Sequence, residues 1–183
     1  MKELFKYLIC IVTIGLLFSC DKFDEIDHKL DVEFCYELTC SDALLKYVTP
    51  EITFTDAKGI QRTISIESSM WDGNEHKTWR NSIHYDSLNV SNTATIKYIP
   101  NLGITYQDEI GFENIHNLSC LISIKEDGDG RRNNNTIVPD FPSKTNVTAE
   151  ELKNYIEKLS KKTFIRGGTV DIKGEIIKIE NEN

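Results

Sequence analysis

Basic residues are in deficit. Lys and Arg number 21 against 29 Asp and Glu, a formal net charge of −8 over 183 residues. A chain of that sign has no basic stripe with which to neutralise phosphates, which excludes nucleic acid as a partner. Histidine is scarce, at 28, 76, 84 and 116, and neither H-x-x-x-H nor C-x-x-C spacing occurs. No metal site is therefore expected. A G-x-S-x-G element that would present a nucleophilic serine is missing as well. Carboxylates are plentiful, but in so acidic a chain no pair of them stands out for acid–base work. Long apolar runs do not recur after residue 18, so no later segment is long enough to cross a bilayer as a helix. The absences leave no enzyme and no cofactor to expect.

What is present begins at the amino terminus. Lys2 and Lys6 precede an apolar run from Tyr7 to Phe18. At about 1.5 Å per residue such a run falls short of the roughly 20 residues that span a ~30 Å hydrocarbon core. A basic start, a short apolar segment and a small residue, Ser19, have the form of a removable secretory signal. Leu17-Phe18-Ser19-Cys20 resembles the lipobox of bacterial lipoproteins, although Phe18 is larger than the usual residue at its place. That resemblance implies cleavage before Cys20, a diacylglycerol on its thiol and an acylated new amine. Several acyl chains hold a membrane far more firmly than one, at about 0.8 kcal/mol per buried CH₂. Asp21, Asp24, Glu25 and Asp27 then read as a solvated acidic tether over 20–29. They also resemble, with Phe23 interrupting, the acidic signal that carries many lipoproteins of the Bacteroidota to the outer face of the outer membrane. In its first 25 residues or so the chain is similar to the small envelope lipoproteins of that group, which implies lipid anchoring in the outer membrane at the cell surface.

The remainder, 30–183, has a length suited to one domain. Leu30 to Cys40 alternates, with Val32, Phe34, Tyr36, Leu38 and Cys40 on one face and Cys35 on the other. Pro50–Thr55 and Ile60–Ile66 alternate about the turn Asp56–Gly59 and predict a hairpin. Ser41 is placed to cap a short helical turn before Val48. Further strands are predicted over 79–85, 93–99, 103–106 and 114–126, and 126–135 reads as a long loop or hairpin tip leading to the Pro-bearing stretch 138–142. Thr148 and Glu151 form a capping box for an amphipathic helix over 149–162, with Leu152, Tyr155, Ile156 and Leu159 inward. Gly167-Gly168 reads as punctuation before a terminal hairpin across Lys173-Gly174. The fold class is mainly β: an antiparallel β-sandwich, immunoglobulin-like in general architecture, with one late helix. Antibody-type descent does not follow, because no Trp closely succeeds the first inward Cys.

Cysteine pairing and surface sites complete the reading. Cys40 and Cys120 both face inward on their strands. In an oxidising compartment that leaves two readings, a Cys40–Cys120 bridge or two buried free thiols. Glu126 to Asn133 offers hard oxygen donors, but its spacing is not that of a calcium loop and Arg131 and Arg132 intrude, so it reads as a solvated tip. Trp79 and Tyr85 share a strand face with Ile83 and read as core. Trp71, beside Asp72-Gly73-Asn74, is the candidate ligand contact. Asp86-Ser87-Leu88 resembles the O-glycosylation acceptor of exported Bacteroidota proteins, with Ser87 as acceptor. The expected function is a lipid-anchored, non-enzymatic protein that binds a protein or glycan partner at the cell surface. The alternative is a structural or accessory subunit of an outer-membrane assembly.

Overall fold

The computed structural model describes residues 30–73, 76–126, 129–136 and 145–182, with side chains not described at 129–136 and 180–182. The expected signal peptide at 1–19, Cys20, the rest of the 20–29 tether and the stretch 138–142 lie outside the described residues.

Alternation drives the first sheet. In β1 (Asp31–Ser41) the even-numbered side chains are buried and the odd ones half-buried as far as Cys40, as a strand with one core face requires. It is paired antiparallel on both edges, to β4 (His76–Tyr85) and to β7 (His116–Glu126). β8 (Asp129–Thr136) continues the sheet beyond β7, so the expected loop or hairpin tip is largely strand. The order is β4–β1–β7–β8.

The second sheet contains β2 (Val48–Thr55), β3 (Gln61–Ser65), β5 (Val90–Pro100), β10 (Phe164–Val170) and β11 (Ile176–Glu182). Their order is β11–β10–β5–β2–β3, antiparallel throughout. Both expected hairpins are here. Gly59 and Gly174 take φ of 78° and 76° at their turns, a region open to glycine without the Cβ penalty. The inner faces meet in a sandwich core that includes Phe34, Tyr36, Leu38, Ile52, Ile96 and Ile122, all essentially inaccessible. Each such side chain contributes about 1.5–3 kcal/mol by leaving water.

One buried polar cluster ties the sheets together. Tyr36 donates its hydroxyl to Asn92 Oδ1 at 2.9 Å. Asn92 Nδ2 donates to the Thr55 carbonyl at 2.7 Å and to the Tyr85 hydroxyl at 2.6 Å.

Helix α1 (Asp42–Leu45) is the expected turn, and the Ser41 side chain accepts from the Leu44 N–H. Helix α2 (Ala149–Leu159) has its full capping box, with Glu151 N–H to Thr148 Oγ1 and Thr148 N–H to Glu151 Oε2. It buries Leu152, Ile156 and Leu159. It stops short of residue 162 because Lys161 and Lys162 bond back to Lys158 and Leu159, tightening the last turn.

Two further expectations are corrected, and of the two cysteine readings the free thiols hold. Residues 103–106 are not a strand: Gly103 turns at φ 74° and Tyr106 stacks flat on Tyr47, centroids 5.6 Å apart. The nearby strand is instead β6 (Glu109–Phe112), which pairs with β9 (Thr145–Val147). Gly167 and Gly168 are not punctuation but lie inside β10. The sheets approach so closely there that a Cβ on Gly168 would lie 2.5 Å from Ile122 Cδ1, and on Gly167 it would collide with the Asn92 carbonyl. The Cys40–Cys120 bridge does not form. Cys40 sits opposite His116 and Cys120 opposite Tyr36, on neighbouring strands of one sheet. That offset of four residues is about 13 Å along the strand, beyond the ~7 Å Cα limit of a disulfide. Cys35, Cys40 and Cys120 are free thiols.

Candidate functional site

The ends of the sandwich differ. At one end the described chain begins, at Leu30, and the 85–90 turn and the hairpin turns of β2–β3 and β10–β11 gather there. At the other, β1 runs out into α1, β2 begins, and the longer connections 65–76 and 100–116 meet. Trp71 lies in the first of these connections.

Local bonds fix the Trp71 backbone. A 3-10 turn at Ser68–Met70 precedes it, closed by Met70 N–H to Glu67 O at 2.9 Å. An isolated bridge follows, in which Asp72 and Thr78 exchange N–H···O bonds of 2.9 and 2.7 Å. Gly73 takes φ 98°, and a Cβ there would run into the His76 carbonyl, so glycine is what lets the segment turn back. Lys77 donates its ammonium to the Gly73 carbonyl at 2.9 Å.

The segment closes a cleft of about 450 Å³. Its apolar wall is Trp71, half-buried against the core, with Leu45, Val48 and Ile66. Polar groups join them: Asp42 from α1, Glu67 and Ser68 from the 3-10 turn, Lys77 from β4, and Thr49 with Asn101 from the ends of β2 and β5. Asn101 is locked. Its amide donates to the carbonyls of Leu45 and Lys46, its oxygen accepts from Thr49 Oγ1 at 2.6 Å, and its backbone N–H bonds Tyr47 O. Among the described residues the carboxylates of Asp42 and Glu67 have no side-chain partner, and the Trp71 indole N–H has no acceptor.

Tyr47 braces the rear of this end. Its hydroxyl donates to Glu109 Oε1 at 2.6 Å, and Lys46 Nζ lies 3.5 Å from the same oxygen. Burial, then the Glu109 bond, pushes the Tyr47 hydroxyl up to about 12, while that bond holds the Glu109 carboxyl below its ordinary 4.5.

The other predicted residues lie elsewhere. Ser87 is exposed in the β4–β5 turn, at the opposite end from Trp71. Cys40 and Cys120 are in the core, where burial raises both thiols, Cys120 to about 12. Trp79 is buried and Tyr85 packs partly against the core. The outer face of the first sheet carries a network absent from the sequence reading. His84 Nδ1 lies 2.9 Å from Asp31, Ser82 and Ser123 donate to Glu33, and Arg80 Nε donates to Glu37 at 2.6 Å. Sequence reasoning also missed Asp42, Glu67 and Asn101, which nothing local marks and which only the fold assembles.

No protein-family model, curated protein or solved structure matches this chain.

Proposed function

We propose that the chain is a lipid-anchored, non-enzymatic envelope protein that binds a partner, protein or glycan, at the cell surface through the Trp71 cleft. The observation that carries this reading is the placement of that cleft. Leu30, ten residues after the expected lipid site at Cys20, enters at one end of β1, and the cleft opens at the other. Eleven residues of strand separate them, about 36 Å at ~3.3 Å per residue. A protein held by Cys20 would thus present Trp71 away from the bilayer.

A second reading, an accessory subunit of an outer-membrane assembly, draws on Leu102 and Ile110. They are 99% and 90% exposed, respectively, as residues buried against another subunit would be in the free chain.

Protease shaving of intact cells tests the first reading, with lysed cells as reference and Cys20→Ala as control. Cleavage on whole cells, together with loss of membrane attachment in Cys20→Ala, is the expected result. Protection until lysis would overturn the surface reading and favour the subunit.

A further inference from the structure

We propose that the Trp71 cleft takes a short neutral saccharide. The inference rests on the binding reading above and adds the ligand's chemical class.

A pyranose presents an apolar C–H face and a rim of hydroxyls, so it needs a flat aromatic surface beside hydrogen-bond acceptors. Trp71 supplies the surface, and its half-buried indole is already packed on one side against the core. Its N–H is a donor with no protein acceptor among the described residues. Asp42 and Glu67 are acceptor-only while ionised, and no described side chain occupies them. Of the other polar groups, Asn101 is committed to Thr49 and two carbonyls and Lys77 to Gly73, while Ser68 adds a hydroxyl to the lining. The unfilled requirement is therefore a ligand that donates to two carboxylates, accepts from one N–H and lies flat on an indole. Charged hydrogen bonds of this kind are the strong ones.

Charge narrows the class. Two carboxylates against one ammonium leave the cleft negative within a chain at −8, which opposes uronates and sulfated or phosphorylated sugars. Size suits a small ligand: the cleft falls within the ~300–1,000 Å³ of small-molecule sites. The bridge at Asp72–Thr78 and the bonds of Asn101 hold the walls before any ligand arrives, which limits the ordering cost of binding.

Calorimetry and tryptophan emission on the full-length protein in detergent would test this, with cellobiose, mannobiose and N,N′-diacetylchitobiose as probes and digalacturonate as the charged control. Because Trp79 is buried, an emission change reports Trp71. At least one neutral probe should give a saturable shift, and digalacturonate none. Asp42→Asn and Glu67→Gln should each weaken binding about tenfold, near the ~1.4 kcal/mol of one charge-assisted hydrogen bond, with the thermal midpoint unchanged. Trp71→Phe should abolish the emission response and reduce the calorimetric one. Silence with every neutral probe, or binding that survives the Asp42→Asn/Glu67→Gln pair, would overturn the saccharide. A silent titration alongside surface exposure in the shaving experiment would remove the saccharide alone. Protection from protease on intact cells would remove the surface reading whatever the titration gives.

Discussion

Tyr36 on β1 and Asn92 on β5 share a hydrogen bond of 2.9 Å across the core, linking one sheet to the other. Asn92 also holds Thr55 O and the Tyr85 hydroxyl, so four strands converge on one amide. Asn92→Ala strips partners from several buried groups at once and is expected to cost about 2–4 kcal/mol. Tyr36→Phe removes a single bond and should cost about 1 kcal/mol. Urea unfolding of both variants and the double mutant checks this. Costs that simply add would mean the two side chains do not act through one another.

The thiols give a chemical test of the strand register. In the mature chain, with Cys10 removed and Cys20 lipidated as proposed, unfolded, unreduced protein should show Cys35, Cys40 and Cys120 as three titratable thiols. In the folded protein Cys40 and Cys120 should react with a disulfide reagent only as fast as the domain opens, because burial raises both and little thiolate forms. Adding reductant should leave the thermal midpoint unchanged. A midpoint that falls with reductant would restore the bridge and refute the register of β1 on β7.

Stability should fall in acid and again in strong alkali. The Glu109 carboxyl is lowered by Tyr47, Glu151 by the Thr148 N–H and Asp56 by the Ile60 N–H. A carboxyl lowered on folding contributes above its unfolded value and loses that contribution as pH falls through the folded one. The urea midpoint should therefore hold from pH 7 to about 5 and decline below about 4.5. Glu109→Gln should make the acid decline shallower. Tyr47 and Tyr155, both raised to about 12 chiefly by burial, contribute below their unfolded value near 10. Their contribution should vanish between pH 10 and 12, a loss that Tyr47→Phe should reduce.

How far the fold could be read beforehand depends on how local its causes are. The β1 alternation, the Asp56–Gly59 turn and the Thr148–Glu151 box were legible because each is fixed by residues a few positions apart. Strand partners were not. Period two says that Cys40 and Cys120 face inward but not that they lie side by side in the same sheet. Glycine usually marks a turn, yet Gly167 and Gly168 sit mid-strand because neighbouring backbone and Ile122 come too close for a Cβ. The site was half legible. Trp71 stood out by its loop neighbours, whereas Asp42, Glu67 and Asn101 carry no shared local signal. Three connections bring them together only after both sheets have paired.

β1 is laddered along both edges, from Val32 to Ser41 by β4 and from Asp31 to Cys40 by β7, and it is the first strand among the described residues. Antiparallel hydrogen bonds stand perpendicular to the strand. A pull on the amino terminus would therefore load two rows of them sideways, and they must yield together instead of unzipping one by one. An edge strand such as β11, held along one side, would peel. The chain thus meets traction from its amino-terminal end with its most heavily supported strand, as a lap joint resists shear, and the domain should withstand being dragged from that end better than from the other.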